Sequence, residues 1–337
     1  MSRLLFAAIF MLITLAAPAR AQDGEELSDL LSEVGKAYAE PYLQPLANAL
    51  GADMNSGLFH TASIGGGMLP LVDVYVGVKL MAGFVPTSSR TMSLAYETNK
   101  VFEIEGEEYV VPVTFQITDA PTVFGETKRG QATAHVFEIL EGPGGNDVVL
   151  DTTIAFEVLP GLINTPVAPF AVPHIGIGSF MGTDLTLRYL PRLGFQDYGS
   201  VGLFGIGVRH SISQYLPLSP VNLTAQVMWQ KLSIQDAQKD EVFAASAMAA
   251  NVVASKSLAV LTMYGGLQVE RSSIDISYTF GAEADQLSGQ EIHFGMKGNN
   301  VVRAVVGGAL NMGPVLFNVD AGIGSSRIIS TGLGVSL

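Results

Sequence analysis

Apolar and polar residues alternate with a period of two along much of the chain. Between Ser273 and Phe280 the pattern is unbroken: Ile274, Ile276, Tyr278 and Phe280 alternate with Ser273, Asp275, Ser277 and Thr279. Successive side chains of a strand point to opposite faces, so this stretch predicts a strand with one apolar and one polar face. The same signature recurs. Val72, Val74, Val76, Val78 and Leu80 alternate with Asp73, Tyr75, Gly77 and Lys79. Leu185, Leu187 and Tyr189 alternate with Asp184, Thr186 and Arg188, and Phe204, Ile206 and Val208 with Gly205, Gly207 and Arg209. Val221–Gln230, Glu291–Lys297, Val315–Ile323 and Ser330–Leu337 read likewise. Burying Asp73 and Lys79 between two soluble sheets is costly, whereas a wet lumen accepts them. The pattern therefore predicts an all-β fold, an antiparallel transmembrane β-barrel with lipid outside and water inside.

Short links such as Asn299-Asn300 and Met312-Gly313-Pro314 alternate with longer polar ones, Gln235–Glu241 and Glu283–Gln290, as barrel hairpins do. A spanning strand takes about 10 residues, so the chain predicts about 14 strands, within a range of roughly 12 to 16. Phe59–Gly67 reads as the first strand. Phe243–Ser255 is Ala-rich, which favours helix by propensity, but its neighbours argue for a strand with small residues inside. Leu159–Pro173 holds Pro160, Pro166, Pro169 and Pro173 and reads as a loop entering the next strand, or as an interrupted wall strand that shapes a passage. Trp229, Tyr189, Tyr215, Tyr278 and Phe280 fall near strand ends, where an aromatic girdle is expected.

Two segments break the pattern. In Glu25–Leu50, Leu27, Leu30, Leu31, Val34 and Tyr38 recur at helical spacing, with Pro41 and Pro45 expected to break the helix and Gly51 to cap it. This N-terminal segment, residues 22–56, is either a plug in the lumen or a periplasmic cap. Residues 57–337 are assigned to the barrel. Within them, 90–157 is acid-rich (Glu103, Glu105, Glu107, Glu108, Glu126, Glu138, Glu141, Asp147) and reads as more wall or as a solvated, extracellular extension.

Composition narrows the picture. Ahead of the helix, Arg3, the apolar Leu4–Ala17 and Ala19-Arg20-Ala21 have the form of a signal peptide over residues 1–21, with cleavage expected before Gln22. Its apolar core is too short to span a membrane as a helix. The 337 residues carry a net charge of -13, which argues against a nucleic-acid partner. They are 48% hydrophobic and 15% charged, with no cysteine, so disulfides and thiolate metal sites are excluded.

The leader, the alternating strands and the final Leu333-x-Val335-x-Leu337 together resemble Gram-negative outer-membrane barrels. That resemblance implies outer-membrane lipid around the wall and recognition of the last strand by the barrel-assembly machinery, although Leu337 stands where such chains usually end in Phe. A helical segment before a barrel is similar in architecture to the long-chain fatty-acid outer-membrane transporter family. No motif is shared residue by residue, so no binding residue is carried over. Pro41–His60 (PYLQPLANALGADMNSGLFH) resembles the N-terminal pattern of an uncharacterised family of such barrels.

No reaction centre or cofactor is implied. His60, His135, His174, His210 and His293 form no metal-ligand spacing. His210-Ser211 are consecutive strand residues and point apart, so they do not make a nucleophile–base pair. Gly176, Gly178 and Gly182 have neither the spacing nor the βαβ context of a dinucleotide loop. The candidate lumen-lining set is Asp73, Lys79, Arg188, Arg209, Glu270, Asp275, Glu291, His293, Lys297, Arg303 and Asp320. The function expected is a non-enzymatic, passive outer-membrane channel or transporter for small hydrophobic molecules. The alternative is a structural barrel that binds a protein through its acidic region.

Overall fold

The computed structural model describes residues 24–64, 73–104, 107–127, 130–141, 147–194, 199–216, 218–279 and 291–336. The expected signal peptide and Phe280 lie outside the described residues, as do the side chains of Tyr278 and Glu291. Helix α1 (Gly24–Met54) precedes β1 (Asp73–Phe84), β2 (Thr91–Ile104), β3 (Glu107–Pro121), β4 (Gly130–Glu141), β5 (Asp147–Val158), β6 (Val167–Phe180), β7 (Thr183–Gly194) and β8 (Ser200–Ser211). There follow β9 (Asn222–Gln235), β10 (Glu241–Leu258), β11 (Leu261–Thr279), β12 (Glu291–Lys297), β13 (Val302–Met312), β14 (Val315–Ile323) and β15 (Arg327–Ser336). The chain divides into two units. One comprises Met1–Pro45, Pro86–Pro166 and Glu283–Ser288; the other comprises Leu46–Val85, Val167–Ala282 and Gly289–Leu337.

In the first unit, β2 to β5 form a four-stranded antiparallel meander in chain order, and the described pairings join none of them to a barrel strand. The acid-rich region is thus a sheet of its own. The helix expected to break at Pro41 and Pro45 instead runs through both. An internal proline costs roughly 3 kcal/mol, and tertiary contacts around this turn offset it. Tyr38 and Tyr42 stack with centroids 6.0 Å apart. The Tyr42 hydroxyl donates to the Pro160 carbonyl at 2.8 Å, Leu159 N–H donates to the Tyr38 hydroxyl at 3.1 Å, and Val123 N–H donates to the Tyr42 carbonyl at 3.1 Å.

The second unit is a closed antiparallel barrel. Of the eleven strands in its sheet, ten close the ring in the order β1-β6-β7-β8-β9-β10-β11-β13-β14-β15, with β15 back on β1, and β12 adds a short strand on β11. Three features separate this from the expected 14 or so strands. Segments 90–157 form their own sheet. Phe59–Ile64 is not a strand. And Asn299-Asn300 is not a hairpin turn: β12 and β13 follow one another along the same edge of β11, with Ser273 opposite Lys297 and Val269 opposite Val302. One residue more is used on the outer edge than on β11, which makes a bulge. The Ala-rich stretch is strand β10, with Ala245, Ala247 and Ala249 buried on its inner face.

Outward residues of the wall are apolar and exposed, among them Val76, Val78, Leu185, Ile206, Val227, Val306 and Leu333. Tyr189, Phe204 and Trp229 add aromatic rings on this face, Phe204 and Trp229 with centroids 6.4 Å apart. Inward residues are mixed: many are polar or small, and larger ones such as Tyr75, Met81, Met228 and Leu316 are buried among them. Tight links at Met181-Gly182, Ala259-Val260 and Gly313-Pro314 mark one end of the barrel; β1 starts and β15 stops there. The long β1–β6 and β11–β12 connections lie at the other end with the shorter β7–β8, β9–β10 and β14–β15 links, and the β8–β9 link, residues 212–221, is the exception among the tight turns of the first end.

Over its described side chains, Ser273 to Ser277, the alternating pattern has its faces reversed. On β11, Thr262, Tyr264, Gln268 and Glu270 are buried and point inward, and so do Ile274 and Ile276, which share their parity. Arg271, Ser273, Asp275 and Ser277 point outward. Polarity inverts between Glu270 and Arg271, so the upper part of β11 has polar residues outside and apolar ones inside, as a strand does once it leaves the hydrocarbon layer.

The proline-rich segment is also clarified. Strand β6 begins at Val167 and pairs with β1 without a break through Pro169 and Pro173. A proline sits in such a ladder only where its missing N–H faces away from the partner, so both prolines turn their nitrogens toward β7. The β6–β7 ladder is correspondingly short: His174–Ile177 pairs with Leu185–Arg188, and Phe180 with Thr183.

Candidate functional site

The lumen is occupied by the chain itself. Residues 51–60 are all buried, and beyond Met54 the backbone is irregular. Helix carbonyls near a C-terminus and irregular backbone need donors, and the wall supplies them. Arg303 Nη1 donates to the Ala52 carbonyl at 3.0 Å, and Arg188 Nη1 to Met54 at 2.9 Å. Gln268 Nε2 donates to Asn55 at 2.8 Å, Arg188 Nη2 to both Ser56 and Gly57 at 2.7 Å, and Gln226 Nε2 to Leu58 at 3.3 Å. Arg209 Nη2 donates to Thr61 at 2.7 Å and Thr224 Oγ1 to Ala62 at 2.5 Å. The partners run down β9 from Gln230 through Gln226 to Thr224, so the segment descends from the long-loop end toward the tight-turn end.

Apolar packing accompanies these bonds. Leu58, Phe59 and Ala62 pack with Met228, Ala249, Val253, Tyr264 and Ala309, and Phe59 meets Tyr264 edge-on at 5.8 Å. His60 and His174 flank the Tyr75 ring at 4.6 and 5.8 Å. Gly51, expected to be a helix cap, lies inside α1, where its lack of a side chain brings the helix against Ser272. The β12–β13 bulge holds the same turns: Asn299 N–H donates to Asn48 Oδ1 at 3.0 Å and Asn300 Nδ2 to the Asn48 carbonyl at 3.2 Å.

A second network lines the wall. Lys79 Nζ donates to Asn318 Oδ1 at 2.7 Å, and Asn318 Nδ2 donates to the Tyr264 hydroxyl at 3.1 Å and to Asp320 Oδ2 at 3.3 Å. The Tyr264 hydroxyl donates to Asp320 Oδ2 at 3.0 Å, and Ser330 Oγ donates to Asp320 Oδ1. Arg303 and Glu270 form an ion pair at 2.7 Å.

The charges singled out from sequence therefore divide. Lys79, Arg188, Arg209, Glu270, Arg303 and Asp320 are brought together inside the barrel, and Asp73 accepts a bond from Ser336 Oγ at 3.1 Å near the tight-turn end. Asp275, His293 and Lys297 are placed otherwise. They share the outward face of β11 and β12, where His293 Nδ1 bonds Ser277 Oγ at 2.8 Å. Their assignment failed because alternation defines two faces without saying which solvent each meets. The Glu291 side chain lies outside the described residues. Gln226, Gln230, Gln268, Thr224 and Tyr264 were missed because a search for charge passes over neutral donors. Their shared parity with the inward arginines on neighbouring strands was the available signal.

Beside the segment, a cavity lined by Asn55, Gly57, Phe59, Gln268, Arg303 and Asp320, among others, has room for about one water molecule. Among the described residues no group of three or more His, Cys, Asp or Glu could hold a metal ion. The arrangement binds a peptide backbone.

A closed antiparallel ring with apolar residues outside and hydrogen-bonded polar residues inside defines a membrane-spanning β-barrel. The chain belongs to a family described as "Family of unknown function (DUF6588)", whose profile matches residues 1–337. No curated protein matches it. Among solved structures it is similar to OccK11 (OpdR) of Pseudomonas aeruginosa, at 6% identity and a TM-score of 0.21 over 82% of this chain and 98% of that one. It is also similar to the translocator domain of the autotransporter NalP from Neisseria meningitidis (12% identity, TM-score 0.23, 89% and 98%). A third is a BenF-like porin from Pseudomonas fluorescens Pf-5 (9%, 0.17, 79% and 97%). Likenesses this distant carry no functional argument, and the reading below rests on the barrel and its lumen.

Proposed function

We propose that the protein is an outer-membrane channel for small molecules whose lumen is closed by its own residues 46–64. The observation that carries this reading is the way the segment is held. Wall side chains bond its backbone carbonyls, and among the described residues no β-ladder fixes residues 55–64 to the wall. A ten-stranded ring is near the size at which side chains fill the interior, so displacement of the segment leaves a narrow, polar path. That lining favours small polar solutes over the hydrophobic cargo expected from sequence. The likeness to long-chain fatty-acid transporters then reduces to a helix ahead of a barrel. Passage is passive, and the barrel-assembly machinery inserts the wall by its last strand. Single-channel recording and liposome uptake test the reading: brief or rare openings are expected, and an inserted barrel that passes neither ions nor small solutes under any condition contradicts it.

The separate β2–β5 sheet favours a second reading, a barrel that displays a protein-binding surface. Deleting residues 90–157 discriminates: partner loss with unchanged permeability supports this alternative.

A further inference from the structure

Arg188 is fully buried on the inner face of β7. Its guanidinium bonds the carbonyls of Met54, Ser56 and Gly57 at 2.9, 2.7 and 2.7 Å, and also meets His174 Nδ1 at 3.3 Å and Gln230 Oε1 at 3.4 Å. Among the described residues no carboxylate bonds it. Glu270 is paired with Arg303, Asp184 lies 3.7 Å from Arg209, and Asp320 is held by Tyr264, Asn318 and Ser330. Lys79 borders the same point. A β-carbon on Gly57 would lie 3.6 Å from Arg188 Nη2 and 3.6 Å from Lys79 Cβ, and the Lys79 ammonium bonds the neutral Asn318. The Arg188 cation therefore faces carbonyl oxygens that carry only partial charge, and the Lys79 ammonium, on a side chain whose Cβ borders Gly57, faces the amide oxygen of Asn318. An arginine fork matches the paired oxygens of a carboxylate or phosphate better than separate carbonyls, and a buried guanidinium left without a partner is strongly disfavoured.

We infer that Arg188, with Lys79 beside it, forms an oxyanion site that the carbonyls of Met54, Ser56 and Gly57 fill when the lumen is closed. When the segment leaves, a small carboxylate or inorganic phosphate takes their place, and the lumen selects anions. The segment is then a tethered competitor of the solute. This rests on the channel reading and assigns its substrate class.

Gly57 has a φ of +60°, a backbone region that strains a β-branched residue, and its β-carbon would lie 3.3 Å from Met81 Sδ. Gly57→Val thus loosens the segment and leaves the wall intact. In bilayers under a KCl gradient, G57V is expected to be anion-selective and blocked by inorganic phosphate. G57V/R188Q should lose the selectivity and need about tenfold more phosphate for the same block. G57V/R188K, with charge but no fork, should keep the selectivity with weaker block. Equal selectivity and block in all three overturns the site. A second readout does not depend on current: phosphate, against chloride of equal ionic strength, should raise the unfolding temperature of G57V and not of G57V/R188Q. Equal shifts in both overturn the site as well. Current without any phosphate effect refutes the site and leaves the channel. A phosphate-specific shift without current refutes the channel and leaves the site.

Discussion

Arg303 on β13 and Glu270 on β11 pair at 2.7 Å with both side chains sealed from solvent, and the same guanidinium holds the Ala52 carbonyl at 3.0 Å. Removing one member of a buried pair costs about 3–5 kcal/mol, whereas replacing both with apolar residues is often near neutral. Glu270→Ala should therefore lower the urea midpoint of unfolding sharply. Glu270→Leu/Arg303→Leu should recover most of the loss, less the contribution of the Ala52 bond. Fluorescence of Trp229, the chain's one tryptophan, provides the readout.

The approach of α1 to the wall depends on Gly51. A β-carbon there would lie 2.6 Å from Ser272 Cβ and closer still to its Oγ. Gly51→Ala is expected to destabilise by about 1–3 kcal/mol, in the range of overpacked cores. Adding Ser272→Gly should return part of that loss. Chemical denaturation of the three chains gives the coupling directly, and strict additivity would remove the close contact from the account.

Pro169 and Pro173 deny β6 two donors toward β7. Pro169→Val and Pro173→Val together should lengthen that ladder upward from His174 and Arg188. Hydrogen exchange should then show new protection at positions 169 and 173 and slower exchange at Tyr189. Fast exchange at both new amides would mean that something other than the prolines keeps the strands unpaired.

The two longest connections, β1–β6 and β11–β12, orient the barrel with their end outside and the end bearing the three two-residue turns in the periplasm. Gln238 in the β9–β10 loop and Leu218 in the β8–β9 link are both exposed, at opposite ends of the wall. Because the chain has no cysteine, single replacements label cleanly. A bulky maleimide should modify Gln238→Cys on intact cells and Leu218→Cys after the outer membrane is opened. The reverse order would invert the barrel.

Much of this fold was legible in the alternation. The faces of β1, β7, β8, β9, β14 and β15 follow from it, because lipid and a polar interior impose opposite demands on adjacent residues. Where those demands change, the pattern misleads. Asp275 sits among apolar neighbours just as a lumen residue would, but it belongs to the part of β11 where the outside is polar. The continuous helix through Pro41 and Pro45 depends on contacts from Val123, Leu159 and Pro160, more than 75 residues away in sequence. The alternation leaves residues 22–56 open as plug or cap and hides the continuation of the lumen segment past Ser56 for a similar reason. Phe59–Ile64 has the composition of a strand, and what keeps it irregular is a set of donors on strands that lie far along the chain.

The central claim is that residues 46–64 close the lumen and must move for it to open. Thr61 Oγ1 on the segment and Ser255 Oγ on β10 lie 3.3 Å apart, near enough for Thr61→Cys/Ser255→Cys to form a disulfide without large movement. Bilayer current of this variant should be absent when oxidised and return on reduction, while each single replacement conducts like the parent under both conditions. Equal current through the oxidised and reduced forms would contradict the account.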